Sequence, residues 1–256
     1  MLDNTAHFRF YEELNDFLPR EKKKVSFPYH FNGNPSVKDA IEAIGIPHPE
    51  VDLIVVNGES VGFDHLIQDG DRVAVYPPFE SIDISPIVKL RDKPLRNVAF
   101  ILDVHLGKLA KILRMLGFDS LYRNDYDDHE IVAISVRDHR IILTCDRGLL
   151  KHKVVTHGYC VRSRSPAHQL HEVIRRFDLG ELFKPFHRCS VCNGFVHAVD
   201  KHTIIDQLES KTVEFYDQFY QCDQCGKIFW EGSHFDSLNR KIEAIINEHS
   251  SNNKPA

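Results

Sequence analysis

Hydrophobic and polar positions repeat with two different periods along the chain, and the changes of period divide it into segments. His7 to Tyr11 (HFRFY) alternates and residues 25–31 (VSFPYHF) are rich in aromatic and β-forming side chains, so both read as strands. SVKDAIEAIGI then switches to helical spacing: Val37, Ile41 and Ile44 form one apolar stripe, Ser36 stands at the N-cap, and Gly45 can end the helix. LIVVNGESV carries Asn57-Gly58, a strong hairpin signal, and Asp69-Gly70-Asp71 introduces a last strand closed by Pro77-Pro78. Strand, strand, helix, strand, strand is the order of a β-grasp.

After residues 81–96, which hold Pro86 and Pro94 among mixed charges and read as a linker, NVAFIL opens a different pattern. It is a short unbroken apolar run of the kind buried in a parallel sheet. Leu106, Leu109, Ala110, Leu113 and Leu116 follow at helical spacing, with Lys108, Lys111 and Arg114 on other faces and Gly117 as the stop. DSLYR, RIILTC and YCVRS read as strands, and DDHEIVAISVRDH and PAHQLHEVIRRF as helices. Strands alternating with helices predict an α/β domain on a parallel sheet. Further on, TIIDQL and EFYDQFYQ read as hairpin strands, KIFWEGSHF completes a ribbon, and LNRKIEAIINEHS reads as a short amphipathic helix before a disordered end.

Composition sharpens this picture. With 256 residues, 42% of them hydrophobic, the chain has material for two or three modules. No apolar run approaches the roughly 18 to 20 residues a bilayer crossing needs, and MLDNTAHFRF lacks the regions of a secretory signal, so no membrane association and a cytoplasmic location are expected. The formal charge of −5 is unevenly spread: −7 over residues 1–90, +5 over 91–186 and −3 over 187–256. The basic middle suggests an anionic partner such as nucleic acid, although a solvated mixed surface has the same composition.

Six cysteines in a reducing compartment favour a metal site over disulfides. Cys189-Ser-Val-Cys192 and Cys222-Asp-Gln-Cys225 are two CxxC pairs 29 residues apart, and four thiolates suit a tetrahedral, structural Zn²⁺ with no open position for catalysis. Redox dithiols would show the same motifs singly rather than as a matched set. Gly194 and Gly226 stand where left-handed turns would aim amides at the sulfurs. Phe219, Tyr220, Phe229, Trp230 and Phe235 are suited to stacking on bases or to packing a ribbon that has little other core. Cys145 and Cys160 read as buried small hydrophobes.

The acids form a second constellation. Asp103 and Asp146 each follow an apolar strand, at the edge of a parallel sheet where ligands bind, and capping alone does not require an acid at both. Asp125, Asp127 and Asp128 lie between a strand and a helix; Asp127 with Glu130 makes a capping box, and Asp125 suits a turn. Asp119 and Asp138 read as solvated. Carboxylates gathered in one cleft repel unless a cation intervenes, and Mg²⁺ or Mn²⁺ is the hard, oxygen-seeking cation for the purpose. Lys108, Lys111, Arg114, Arg123, Arg147 and Lys151 are candidate phosphate contacts, each equally at home as a solvated charge, while His105, His129 and His152 lie near the acidic loops without a required role.

Two resemblances attach to these residues. Leu66 to Pro78 resembles the end of the thiamine and molybdopterin sulfur carriers, which are ubiquitin-like proteins finishing in Gly-Gly. Here Phe79-Glu80-Ser81 follows instead, so sulfur transfer has no terminal carboxylate to activate and a binding or packing module is implied. FILDVHLGKLAKILRMLGFDSLYRNDYDD, HEI, RIILTCDRGLLKHK and THGYCVRS resemble the PIN-like ribonuclease family named after the C-terminal domain of the exonuclease Mut-seven. That resemblance covers nearly the whole chain. It implies a ubiquitin-like domain over 1–80, a linker over 81–96, a PIN-like nuclease domain over 97–184, a zinc ribbon over 185–236, and a helix and tail over 237–256. It further implies cleavage of single-stranded RNA through divalent metal, with Asp103, Asp128 and Asp146 as the matching acids and Asp125 beside them, and a protein partner for the ubiquitin-like domain. Many PIN nucleases place another acid after the next strand, where this chain has Arg162, Ser163, Arg164 and Ser165. A non-catalytic RNA-binding adaptor is the alternative.

Overall fold

A computed structural model describes residues 4–78 and 98–230, with 232, 240 and 244. The expected linker 81–96, Phe235, and all but Arg240 and Ala244 of the expected tail lie outside the described residues. In chain order the elements are β1 (Asn4–Phe10), β2 (Phe27–Phe31), α1 (Val37–Ile44), β3 (Leu53–Val56), β4 (Glu59–Ser60), β5 (Arg72–Tyr76), β6 (Ala99–Leu102), α2 (Gly107–Met115), β7 (Asp119–Leu121), α3 (Asp128–Asp138), β8 (Ile141–Thr144), α4 (Arg147–Leu150), β9 (Gly158–Cys160), α5 (Pro166–Arg176), β10 (Val196–Val199), α6 (Lys201–Ile204), α7 (Ser210–Phe215), β11 (Phe219–Cys222) and β12 (Ile228–Trp230). They fall into two compact units, one drawn from Met1–Val98 and Asp127–Cys160, the other from Ala99–Tyr126 and Val161–Ala256.

The first unit begins with the β-grasp. Its sheet runs β2-β1-β5-β3-β4, with β1 and β5 parallel and the remaining pairs antiparallel. Local chemistry places its punctuation as expected: Ser36 Oγ accepts from Asp39 N, Gly45 ends α1 at φ 118°, and Asn57 and Gly58 turn between β3 and β4 at φ 52° and 96°. Phe8, Phe10, Ile41, Ile54 and Val75 are sealed inside.

The same unit contains the parallel pair β8 and β9, and the β-grasp grips it through buried polar bonds. His48 Nε2 donates to Val155 O at 2.6 Å while its Nδ1 faces Glu42 Oε1 at 2.6 Å. Fully buried Glu50 accepts from Cys160 N, and Lys151 Nζ donates to Glu42 O at 2.7 Å. The Arg147 guanidinium lies 4.7 Å from the centre of the Phe17 ring. The ubiquitin-like module is thus packed on the β8–β9 segment. Lys151 and Arg147, expected to meet phosphates, are engaged with it.

In the second unit β6 and β7 pair in parallel across α2, and α2 packs on α5. Both units therefore carry the parallel strand and helix alternation of an α/β fold. Arg114 corrects its assignment to a basic surface: only 4% exposed, it lies one turn after buried Ala110 and points inward. Its Nε donates to Ser120 O at 2.8 Å, Nη1 to Val191 O at 2.7 Å, and Nη2 to Tyr122 O at 3.4 Å. Burial pushes this guanidinium below its ordinary value, against the pull of Cys192, Cys189 and Asp119. Asp119 is likewise not solvated, since it accepts from Asn193 Nδ2 at 2.8 Å and Arg188 Nη2 at 3.3 Å. Asn193 Oδ1 accepts from Ser120 N at 2.9 Å, completing a bracket between β7 and the first CxxC segment.

The ribbon is the antiparallel sheet β10-β11-β12. TIIDQL is not a strand, contrary to its β-branched content. Asp200 caps α6 by accepting from His202 N at 2.8 Å, and Ile205–Gln207 continues as a 3-10 turn. EF of EFYDQFYQ closes α7, so only its last residues enter β11.

Removing Arg114 would strand three carbonyls. Arg114→Ala is expected to lower the unfolding free energy by about 3 kcal/mol. Arg114→Lys, which lacks the planar fork, should recover less than half of that, as read from denaturant melts.

Candidate functional site

Two constellations stood out in the sequence, and the structure assembles one of them in full. The ligand atoms of Cys189, Cys192, Cys222 and Cys225 all lie within 4.8 Å of one another. Cys189 Sγ is 3.7 Å from Cys225 Sγ, and Cys192 Sγ is 3.3 Å from Cys222 Sγ. Four sulfurs at about 2.3 Å from one tetrahedral ion stand about 3.8 Å apart, so the arrangement can hold a metal ion.

Each pair is built the same way. Asn193 N donates to Cys189 O at 3.0 Å and Gly226 N to Cys222 O at 3.1 Å, and the residue after each pair is left-handed, with Asn193 at φ 73° and Gly226 at φ 70°. The left-handed position of the first pair is therefore Asn193, not Gly194. Gly194 answers a different need: a Cβ there would lie 2.9 Å from Cys222 Sγ and 2.7 Å from Asp223 Oδ1. Val191 N and Gly194 N point at Cys189 Sγ and Cys192 Sγ, both at 3.4 Å. Burial pushes Cys189 up and Cys192 up to about 12. Cys225 sits below its ordinary value, because the Lys227 amide and the other thiols outweigh its burial. Four crowded thiols cannot all ionise unless a cation takes up their charge.

The acids are placed one by one. Asp103 ends β6, is 5% exposed, and accepts from His105 N at 2.8 Å through Oδ1. Asp146 follows β8 and accepts from Gly148 N at 2.7 Å through Oδ1, while Thr144 Oγ1 accepts from Asp146 N at 2.8 Å. Both do cap the turns that follow them, which the sequence reading discounted. Asp127 and Glu130 form both arms of the capping box. That leaves the exposed Asp128 with no duty in the cap, and among the described residues it makes no side-chain hydrogen bond. Asp103 and Asp125 belong to one unit, Asp128 and Asp146 to the other.

Asp125, expected beside the matching acids, forms an ion pair on the surface. Arg123 Nε and Nη2 donate to its two oxygens at 2.9 and 2.6 Å, which holds its carboxyl below the usual range. Lys108 and Lys111 are exposed. Cys160 is buried as expected, but Cys145 is exposed. Glu172 was missed. From α5 it accepts from Arg162 N at 3.0 Å, Ser163 N at 3.1 Å and Ser163 Oγ at 2.9 Å, bringing a carboxylate to the loop whose own residues offer none.

Comparison with known families agrees with this layout. The Mut7-C RNAse domain model matches residues 98–242 and the Mut7-C ubiquitin model matches residues 3–83. No curated protein and no solved structure matches the chain.

The two glycines separate space from strain. Gly194→Ala, which forces a methyl against a ligand sulfur, is expected to weaken metal retention on the order of tenfold or more in competition with a chromogenic chelator. Gly226→Ala meets nothing within 4 Å and pays only its left-handed backbone, about 1 kcal/mol of stability, with retention nearly unchanged.

Proposed function

The chain belongs to the Mut7-C RNAse domain family, and from that premise we propose that it is a metal-dependent ribonuclease cleaving the phosphodiester bonds of single-stranded RNA. One observation carries the reading. Asp103 and Asp146, each closing an apolar strand of a parallel pair, have one carboxylate oxygen fixed by the amide two residues on. A carboxylate oriented in this way spends little further entropy in meeting a cation. Asp128, free of capping, is the third acid.

These oxygens suit Mg²⁺ or Mn²⁺, hard cations that keep waters and share their site with phosphates. Such an ion, when bound, supplies an activated water and neutralises charge on the leaving oxygen. The protein's own part is positioning: the turn amides hold the Asp103 and Asp146 carboxylates, and the exposed ammonium groups of Lys108 and Lys111 offer phosphate contacts.

The cysteine centre is read as structural Zn²⁺. Soft thiolates, a tetrahedral spacing and four protein ligands leave no coordination position for substrate. The β-grasp, whose sheet edges are β2 and β4, is read as the contact for a protein partner. No described helix is long and apolar enough to cross a membrane, and four cysteines gathered as metal ligands accord with a reducing cytoplasm.

The test incubates purified protein with unstructured RNA and Mn²⁺. Cleavage is expected to vanish on adding a divalent-ion chelator under conditions where the thiolate-held metal stays bound. It should fall on the order of a hundredfold or more in Asp103→Asn and Asp146→Asn, the loss of several kcal/mol of transition-state charge stabilisation. Equal inertness of the parent and both variants, with RNA binding that weakens with salt, would instead establish the adaptor.

A further inference from the structure

Within the second unit a cleft of about 1190 Å³ opens between α2, the segment 184–190 and the face of the ribbon sheet. That is larger than the roughly 300–1,000 Å³ of small-molecule sites. Its described lining includes cations and aromatic rings among apolar side chains such as Met115, Val196 and Ile228. Lys111, Lys184 and Lys227 supply exposed ammonium groups, and Tyr220, Phe229 and Trp230 supply rings on neighbouring ribbon strands. Tyr220 and Phe229 are cross-strand partners in β11 and β12. Among the described lining residues there is no carboxylate, in a chain whose formal charge is −5.

The walls are fixed to each other. Lys184 N donates to Leu116 O at 2.9 Å and Phe186 N to Met115 O at 3.0 Å, tying the segment to the end of α2. Gly117 makes room for that contact, since a Cβ there would meet Lys184 O at 2.2 Å. A cleft whose lining includes both cations and aromatic rings complements a strand that has phosphates along one edge and unpaired bases along the other. A duplex, with its bases stacked away, could not use the rings. An acidic peptide could use the lysines but would leave the rings without flat partners.

We propose that this cleft seats the single-stranded RNA, with Lys111, Lys184 and Lys227 on phosphates and Tyr220, Phe229 and Trp230 under bases. The proposal rests on the ribonuclease reading for the identity of the strand. It joins α2 to the ribbon in one binding surface and gives the ribbon a direct hold on substrate.

Trp230 is the only tryptophan in the chain, lines the cleft and is 37% exposed, so its emission reports on binding there. The full, metal-loaded protein is titrated with an oligouridylate end-labelled for anisotropy, in a buffer without Mg²⁺ or Mn²⁺, and Trp230 emission is followed alongside. Saturable quenching with the same midpoint as the anisotropy change is expected. Oligodeoxythymidylate should quench similarly, because the rings and lysines carry nothing dedicated to a 2′-hydroxyl. Lys184→Ala combined with Lys227→Ala should lower affinity and reduce the salt slope by about 1.4, and Trp230→Ala should weaken binding roughly tenfold. Metal content equal to the parent's shows that the ribbon of each variant is intact. RNA binding with unchanged Trp230 emission and no loss in the lysine variant overturns the cleft and leaves the ribonuclease reading standing. No RNA binding at all overturns both. Quenching by polyglutamate at the same concentrations as by RNA would make the cleft a protein-docking site and overturn the proposal.

Discussion

Arg114 is a full positive charge placed where water does not reach it, and the second unit is arranged around answering that charge. Desolvating a guanidinium costs several kcal/mol unless its donors find acceptors in good geometry. Here the acceptors are two backbone carbonyls of the β7 region and one from the first cysteine pair. One side chain thereby fixes a helix, a strand and a metal knuckle to each other. Asp119, Asn193 and Arg188 repeat the connection alongside it. The charge also sits well electrostatically: a divalent ion within four thiolates leaves a net −2, and Cys189 and Cys192 are among the groups that favour a charged Arg114. The ribbon is thus anchored to the strand and helix that precede it, which fits the run of a single family model across residues 98–242.

Much of this was legible in the sequence wherever the chemistry is local. Ser36, Gly45, Asn57-Gly58 and the Asp127–Glu130 box act on amides within a few residues of themselves, so position alone assigns them. The paired CxxC motifs are legible for the same reason, since each tight turn presents two sulfurs whatever surrounds it. What escaped depends on partners remote in sequence. Arg114 looks like a surface cation because its acceptor Val191 lies 77 positions away, and Asp119 looks solvated because Asn193 lies 74 positions away. Glu172 reads as the polar side of an amphipathic helix until its contact with Ser163 is seen.

The errors within the ribbon have a different origin. TIIDQL was assigned by β-propensity, which measures how a side chain fits a pleated surface and is weak where no sheet offers a place. Asp200 starts a helix there instead, and the strand falls on Val196–Val199, beside the first cysteine pair. Gly194 was assigned to a left-handed turn because glycine permits one. Asn193 takes that conformation, and the absent Cβ of Gly194 serves space around Cys222 Sγ. Composition names a glycine; only the packing says which of its two freedoms is used.

The proposed division of labour follows from donor chemistry. The thiolate centre is soft, closed and four-coordinate, which suits Zn²⁺ and leaves no site for substrate. The acids offer hard oxygens from separate turns, which suit cations that keep waters and accept phosphate oxygens. In the proposed scheme the two donor sets differ in softness and coordination geometry, so each favours a different ion. In the proposed binding mode the ribbon would meet RNA through its side chains and not through a metal ion. A metal held by the four sulfurs would staple the fold, so that the half-buried Tyr220 and Phe229 need not be spent wholly on a core.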